Sequence, residues 1–143
     1  MNKYLFFSGK LFLVIMAFIG LLFLYTAFKG YFLKKEANIF AGALLQEISK
    51  DWDLGVIHNK VGDIGKEYSA QKIKEAGDAL GKVGKCKTKK ADINVRVFYE
   101  TTGVIKNLYD CSFERGQAAV IIDLTKNRDG SWLVNEFQLL PRQ

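Results

Sequence analysis

The sequence predicts an α+β domain carried on a membrane anchor. Three observations point there: an uncharged apolar run near the amino terminus, two stretches with helical periodicity, and a succession of period-two stretches separated by turn residues. The apolar run, "LFLVIMAFIGLLFLYTAF" at residues 11–28, holds no charge between Lys10 and Lys29. As a helix rising ~1.5 Å per residue it would be ~27 Å long, close to the ~30 Å of bilayer hydrocarbon. A cleavable signal usually has a shorter apolar core followed by a small-x-small site, and "YTA" at Tyr25 to Ala27 begins with a bulky ring. An uncleaved anchor is therefore expected. The expected layout is a cytoplasmic tail at 1–10, the anchor at 11–28, a juxtamembrane linker at 29–35 and an extracytoplasmic domain at 36–143. Lys29, Tyr31, Phe32, Lys34 and Lys35 are placed at the membrane interface, where aromatic rings and lysines concentrate. Charge alone does not orient the span, because Lys3 and Lys10 on one side nearly balance Lys29, Lys34 and Lys35 on the other.

From Lys34 to Trp52, Ala37, Phe40, Ala41, Leu44, Leu45, Ile48 and Trp52 recur at steps of three and four, giving an amphipathic helix that either follows a break at Gly30 or continues the anchor. "DLGVIHNKVGDIG" at Asp53 to Gly65 carries three glycines and is expected to be a loop. A second helix is expected from about Lys66 to Val83, with Tyr68, Ile73, Ala76, Ala79, Leu80 and Val83 on one side and Gly81 and Gly84 ending it.

"KVGKCKTKK" at Lys82 to Lys90 has five lysines and no acid. It lacks the interleaved aromatics on which bases stack, so nucleic acid is not an expected partner, and a solvated edge strand is the reading. "INVRVFYE", "VIKNLYDCSFE", "QAAVIIDLTK" and "SWLVNEFQLL" follow as strands. They are joined by "TTG", "RG" and the hairpin turn "NRDG", and Pro141 is expected to end the last of them. Tyr109, Cys111 and Phe113 share one face, and Ala118, Val120, Ile122 and Leu124 share another. The expected architecture is two helices on one face of a curved antiparallel sheet of four to five strands.

Cys86 and Cys111 are the only cysteines, an even count in a short domain behind an export-type segment, and a disulfide between neighbouring strands is expected. They and the single His58 do not make a zinc site at familiar spacing, and no metal or cofactor is expected. All fifteen acids and nineteen of the twenty-one Lys and Arg residues follow residue 28, leaving the domain only mildly basic. No internal repeat, phosphate-binding loop or nucleophile–base set is present in recognisable context.

The order helix, helix, strands, with "SKDWD" late in the first amphipathic helix, "ALGKVGKC" leading into the sheet and the closing hairpin "FERGQAAVIIDLTKNRDGSWLVNEFQL", resembles membrane-anchored members of the nuclear transport factor 2-like (cystatin-like) superfamily, in particular small exported bacterial proteins of uncharacterised function. The resemblance covers about residues 36–140. It implies a single-pass protein of the bacterial inner membrane and a cone-shaped space between helices and sheet, which in some members holds a ligand or a catalytic site. Tyr99, Tyr109 and Glu136 are the candidate polar groups of such a cavity. Their chemistry fits oxyanion and carboxylate roles, although fold alone does not assign an activity. No catalytic residue is expected. The function expected is a binding or assembly module whose partners are the bilayer and a membrane or periplasmic protein, or a second copy of the chain. A small-ligand or enzymatic domain is the alternative.

Overall fold

The computed structural model describes residues 2–53, 67–96 and 102–143, with side chains described over 8–53, 71–93 and 103–143. Helix α1 (Asn2–Ile48) and helix α2 (Glu67–Leu80) precede strands β1 (Val83–Arg96), β2 (Thr102–Phe113), β3 (Gly116–Lys126) and β4 (Trp132–Arg142). The strands form one antiparallel sheet in sequence order, with β1 and β4 at the edges. The protein is thus α+β.

No break occurs at Gly30: α1 is a single 47-residue helix, about 70 Å at the usual rise. Glycine costs only about 1 kcal/mol in a helix interior, too little to interrupt a helix continued by good formers on both sides. The stretch 29–35 is accordingly helical, and its Leu33 is already part of the core at 2% exposure. From there Ala37, Ala41, Leu44, Leu45 and Ile48 make one buried stripe, the i, i+4, i+7 pattern that lays a helix against a sheet. Small residues at 37 and 41 let the helix approach the strands closely.

Among the described residues the sheet has four strands, within the expected four to five, and Lys82–Lys90 and the stretch beginning at Ile93 share the single strand β1 from Val83 onward. Shifts of register at Val83/Cys86 and at Thr88/Lys90 re-phase β1 against β2 without ending it. Its lysines at 85, 87, 89 and 90 are exposed on the sheet edge, where charge discourages pairing with other chains. Pro141 also departs from expectation: it does not end β4 but pairs with Ala118 inside it. An edge strand tolerates a residue without an N–H.

One face of the sheet is buried beneath the helices. Ile105, Asn107, Tyr109, Cys111 and Phe113 of β2, Ala118, Val120, Ile122 and Leu124 of β3, and Val134 and Leu139 of β4 all point there. Helix α2 joins through Ile73, Gly77 and Leu80. Its carboxyl end is tied to the β2–β3 turn: the Arg115 guanidinium donates to the carbonyls of Ala79 and Asp78, and the Arg115 N–H donates to the Leu80 carbonyl. A cation on these last carbonyls also suits the negative end of the helix dipole.

Candidate functional site

Between helices and sheet, apolar side chains of α1, α2 and the strands form one buried cluster. Trp52 is its largest side chain. It follows the last turn of α1 with a left-handed backbone (φ 54°), is 2% exposed, lies with its ring 5.9 Å from that of Phe113, and donates Nε1–H to the Gly81 carbonyl at 3.1 Å. Helix α2 can pass only because residue 77 is glycine: a Cβ there would sit 2.0 Å from the Trp52 ring. Ser49, also buried, accepts from the Val83 N–H at 3.2 Å and so fastens the start of β1 to the end of α1.

Among the described residues Ser49 and Asn107 are the only buried polar side chains, and no buried carboxylate or cationic group is present. A small polar group does lie in the apolar layer. The Tyr109 hydroxyl donates to Asn38 Oδ1 of α1 at 2.7 Å. Asn107, two residues along on the same face, is fully buried, and neither Nδ2 nor Oδ1 has a hydrogen-bond partner among the described residues. Burial pushes the Tyr109 phenol up to about 12, and the adjacent Asn107 amide offsets part of that rise. An unpaired buried amide costs about 1–3 kcal/mol, so this is a locally unfavourable spot in an otherwise apolar core. The phase of β2 could have revealed it, since stepping back by two from Phe113, Cys111 and Tyr109 reaches Asn107.

Of the three expected cavity groups, Tyr109 faces the interior and Tyr99 lies outside the described residues, as does His58. Glu136 is a correction: it sits on the opposite face of the sheet. Asp123 pairs with Glu136 and Leu124 with Val134, which leaves Asn135 as the extra residue of a bulge. Asn135 bonds to Asp123 and Thr125 on the outer face, and Glu136 stays on that face to meet Lys106 at 3.0 Å. Phe137 then returns to the core. Glu136 thereby completes an outer rung of Asp92, Lys106, Asp123 and Glu136 across four strands. The Lys106 ammonium is held above the usual lysine range chiefly by Glu136, through a hydrogen bond and its charge, with smaller contributions from Asp123 and Asp92. Asp110 pairs with Arg142 and Lys89 on the same face. Exposed pairs of this kind contribute little to stability.

Cys86 and Cys111 are directly opposite in the β1–β2 register and form a disulfide. It closes a loop of separation 25 between the edge strand and the sheet interior. Among the described residues no cluster of three His, Cys, Asp or Glu side chains could hold a metal ion.

The remaining site is the exposed half of α1. Its apolar stretch is long and apolar enough to cross a membrane, and none of its apolar window is buried against the rest of the chain. Just beyond it Tyr31 and Phe32 are exposed. Their rings meet edge to face, Phe32 also meets Phe28, and the Lys29 ammonium lies 5.6 Å from the Tyr25 ring. Lys34 is half-buried and Lys35 exposed. Comparison with known proteins found no match: no family model, no curated protein and no solved structure is similar to this chain.

Proposed function

We propose that the chain is a single-pass membrane protein whose carboxyl-terminal domain, of the nuclear transport factor 2-like kind, acts on the extracytoplasmic side of a bacterial inner membrane as a binding or assembly module. The observation that carries this reading is the contrast between the buried apolar cluster under the helices and the uncovered apolar half of α1. The helix-facing side of the sheet packs against α1 and Trp52. The apolar half of α1 is covered by nothing among the described residues. The reading is non-enzymatic. Membrane anchoring supports it by confining the domain to two dimensions, which raises its effective concentration toward a partner on the same surface. The Cys86–Cys111 disulfide supports the extracytoplasmic placement, because such bonds persist in oxidising compartments. The partner is a membrane or periplasmic protein, or a second copy of the chain; no feature recommends nucleic acid.

Cross-linking the full-length protein in intact membranes, followed by affinity purification, tests the reading. A recurrent stoichiometric protein partner, or a defined homo-oligomer, is the expected result. Recovery of uncross-linked monomer alone would overturn it. The alternative, a small-ligand or catalytic domain, has one observation in its favour, the buried unpaired amide of Asn107 beside Tyr109. A ligand there would protect the Tyr109 phenol from titration and change on Asn107→Leu substitution.

A further inference from the structure

The contacts between α1 and the sheet fix the direction in which the domain hangs from its anchor. At the far end, Trp52 meets Phe113 and Ser49 meets Val83. At the near end, the Lys126 ammonium pairs with Glu36, the Trp132 ring stacks on Phe40 at 6.2 Å, and Leu33 is buried. Strand β3 therefore runs from the distal end, at Gly116, back toward the apolar half of α1, and the β3–β4 turn continues beyond Lys126 in the same direction. That turn is a tight one. Asn127 N–H donates to the Ser131 carbonyl, Gly130 N–H to the Asn127 carbonyl, and the Asp129 carboxylate accepts from both the N–H and the hydroxyl of Ser131.

The distances are short. Glu36 lies eight residues past Phe28, the last residue of the uncharged run, which is about 12 Å along a helix. Two further residues of extended chain beyond Lys126 recover roughly 6 Å of that. The tip of the turn thus comes to the level of Tyr31 and Phe32, where the headgroup layer begins, roughly 5–7 Å thick on each side of the hydrocarbon. Lys126 is paired with Glu36, so at this level Lys34, Lys35 and Arg128 stand against Asp129, an excess of positive charge. We infer that the β3–β4 turn, together with Lys34 and Lys35, is a second membrane contact that rests on anionic phospholipid headgroups and holds the domain flush against the bilayer. The inference depends on the anchored reading above and extends it from a tether to a fixed orientation.

The test uses the full chain in vesicles. Single thiols are introduced as Arg128→Cys at the turn and Gln117→Cys at the opposite end of β3, about 35 Å away along the strand. Each is labelled with a fluorophore without reductant, so that Cys86–Cys111 stays closed, and quenched by nitroxide carried on lipid headgroups. Expected are loss of most emission at position 128, little loss at 117, and a weaker quench at 128 when phosphatidylglycerol is replaced by phosphatidylcholine or when salt is raised. Equal quenching at both positions, or a quench at 128 indifferent to lipid charge, overturns the contact while leaving the anchor standing. Release of the unlabelled protein from vesicles by alkaline wash overturns the anchor and the contact together.

Discussion

The two halves of α1 share one continuous helix and have opposite fates. Between residues 11 and 28 the least exposed of the large apolar side chains, Ile19, is still 40% exposed. Between residues 33 and 48 one stripe of apolar positions is almost wholly buried, with Leu33 at 2%, Ala37 at 0%, Ala41 at 1% and Ile48 at 0%, while Ile39 on another side is 65% exposed. The same backbone serves both halves without interruption. What differs is the angular distribution of apolar residues around it. A helix apolar on all sides finds its solvent in lipid, whereas one apolar on a single side finds a protein layer. The switch occurs within a single turn, at Lys29 to Leu33, where charged and aromatic residues mark the change of surroundings.

The same charge placed in each half should act in opposite ways. Ala37→Asp should abolish folding of the domain, since an unpaired buried carboxylate costs several kcal/mol in a protein whose whole stability is about 5–15 kcal/mol; loss of the cooperative thermal transition would report it. Ala17→Asp should leave that transition in place and instead weaken membrane retention, the central cost of an acid in a spanning helix being about 3 kcal/mol. A melt unchanged by Ala37→Asp would show that the helix does not pack as described.

Trp52→Ala should cost about 3–5 kcal/mol by opening a cavity where α1, α2 and β2 meet. Gly77→Ala should destabilise as well, because the added methyl falls on the Trp52 ring, and combining it with Trp52→Ala should remove much of its separate effect. Both changes should leave alkaline-resistant membrane association intact. Reduction of Cys86–Cys111 should cost about 3 kcal/mol for a loop of separation 25, read as a fall in the denaturant midpoint, again with no effect on the anchor.

The smallest effects belong to the interior polar group. Tyr109 titrates at about 12 in the folded chain against an ordinary value of 10.0. The folded state therefore keeps its phenolic proton where the unfolded state has lost it. The stabilisation from this group should be fully present below pH 10 and decline as pH rises through 10 to 12. The decline should be shallower in Tyr109→Phe, compared by denaturant titration at stepped pH. Asn107→Leu should be neutral or should stabilise by about 1 kcal/mol, since it removes an unpaired amide rather than a satisfied one. Marked destabilisation would mean that Asn107 is bonded in solution to something bound there.

Much of the architecture was legible in local pattern. The apolar run, the helical stripe through Ala37, Ala41 and Ile48, and the alternation through Val120, Ile122 and Leu124 each follow from a period that a short window reveals. So does the pairing of Cys86 with Cys111, the only cysteines in the chain. The candidate cavity groups were legible only in part. Tyr109 keeps phase with its strand and faces inward, but Glu136 was displaced to the outer face by the bulge at Asn135, which depends on how β4 pairs with β3 and leaves no mark in the composition of β4.

By itself, then, the sequence determined which segments are helical, which extended, and which apolar faces needed cover, because those properties arise from side-chain periodicity along a chain of known geometry. It did not determine that α1 would run unbroken, that Gly77 would be reserved for the Trp52 ring, that an amide would be left unpaired at Asn107, or that the β3–β4 turn would point back along the helix toward the apolar half. Those were decided by register and by close packing between elements far apart in the chain, where a shift of one residue exchanges the faces of a strand and one methyl group decides whether two helices can meet.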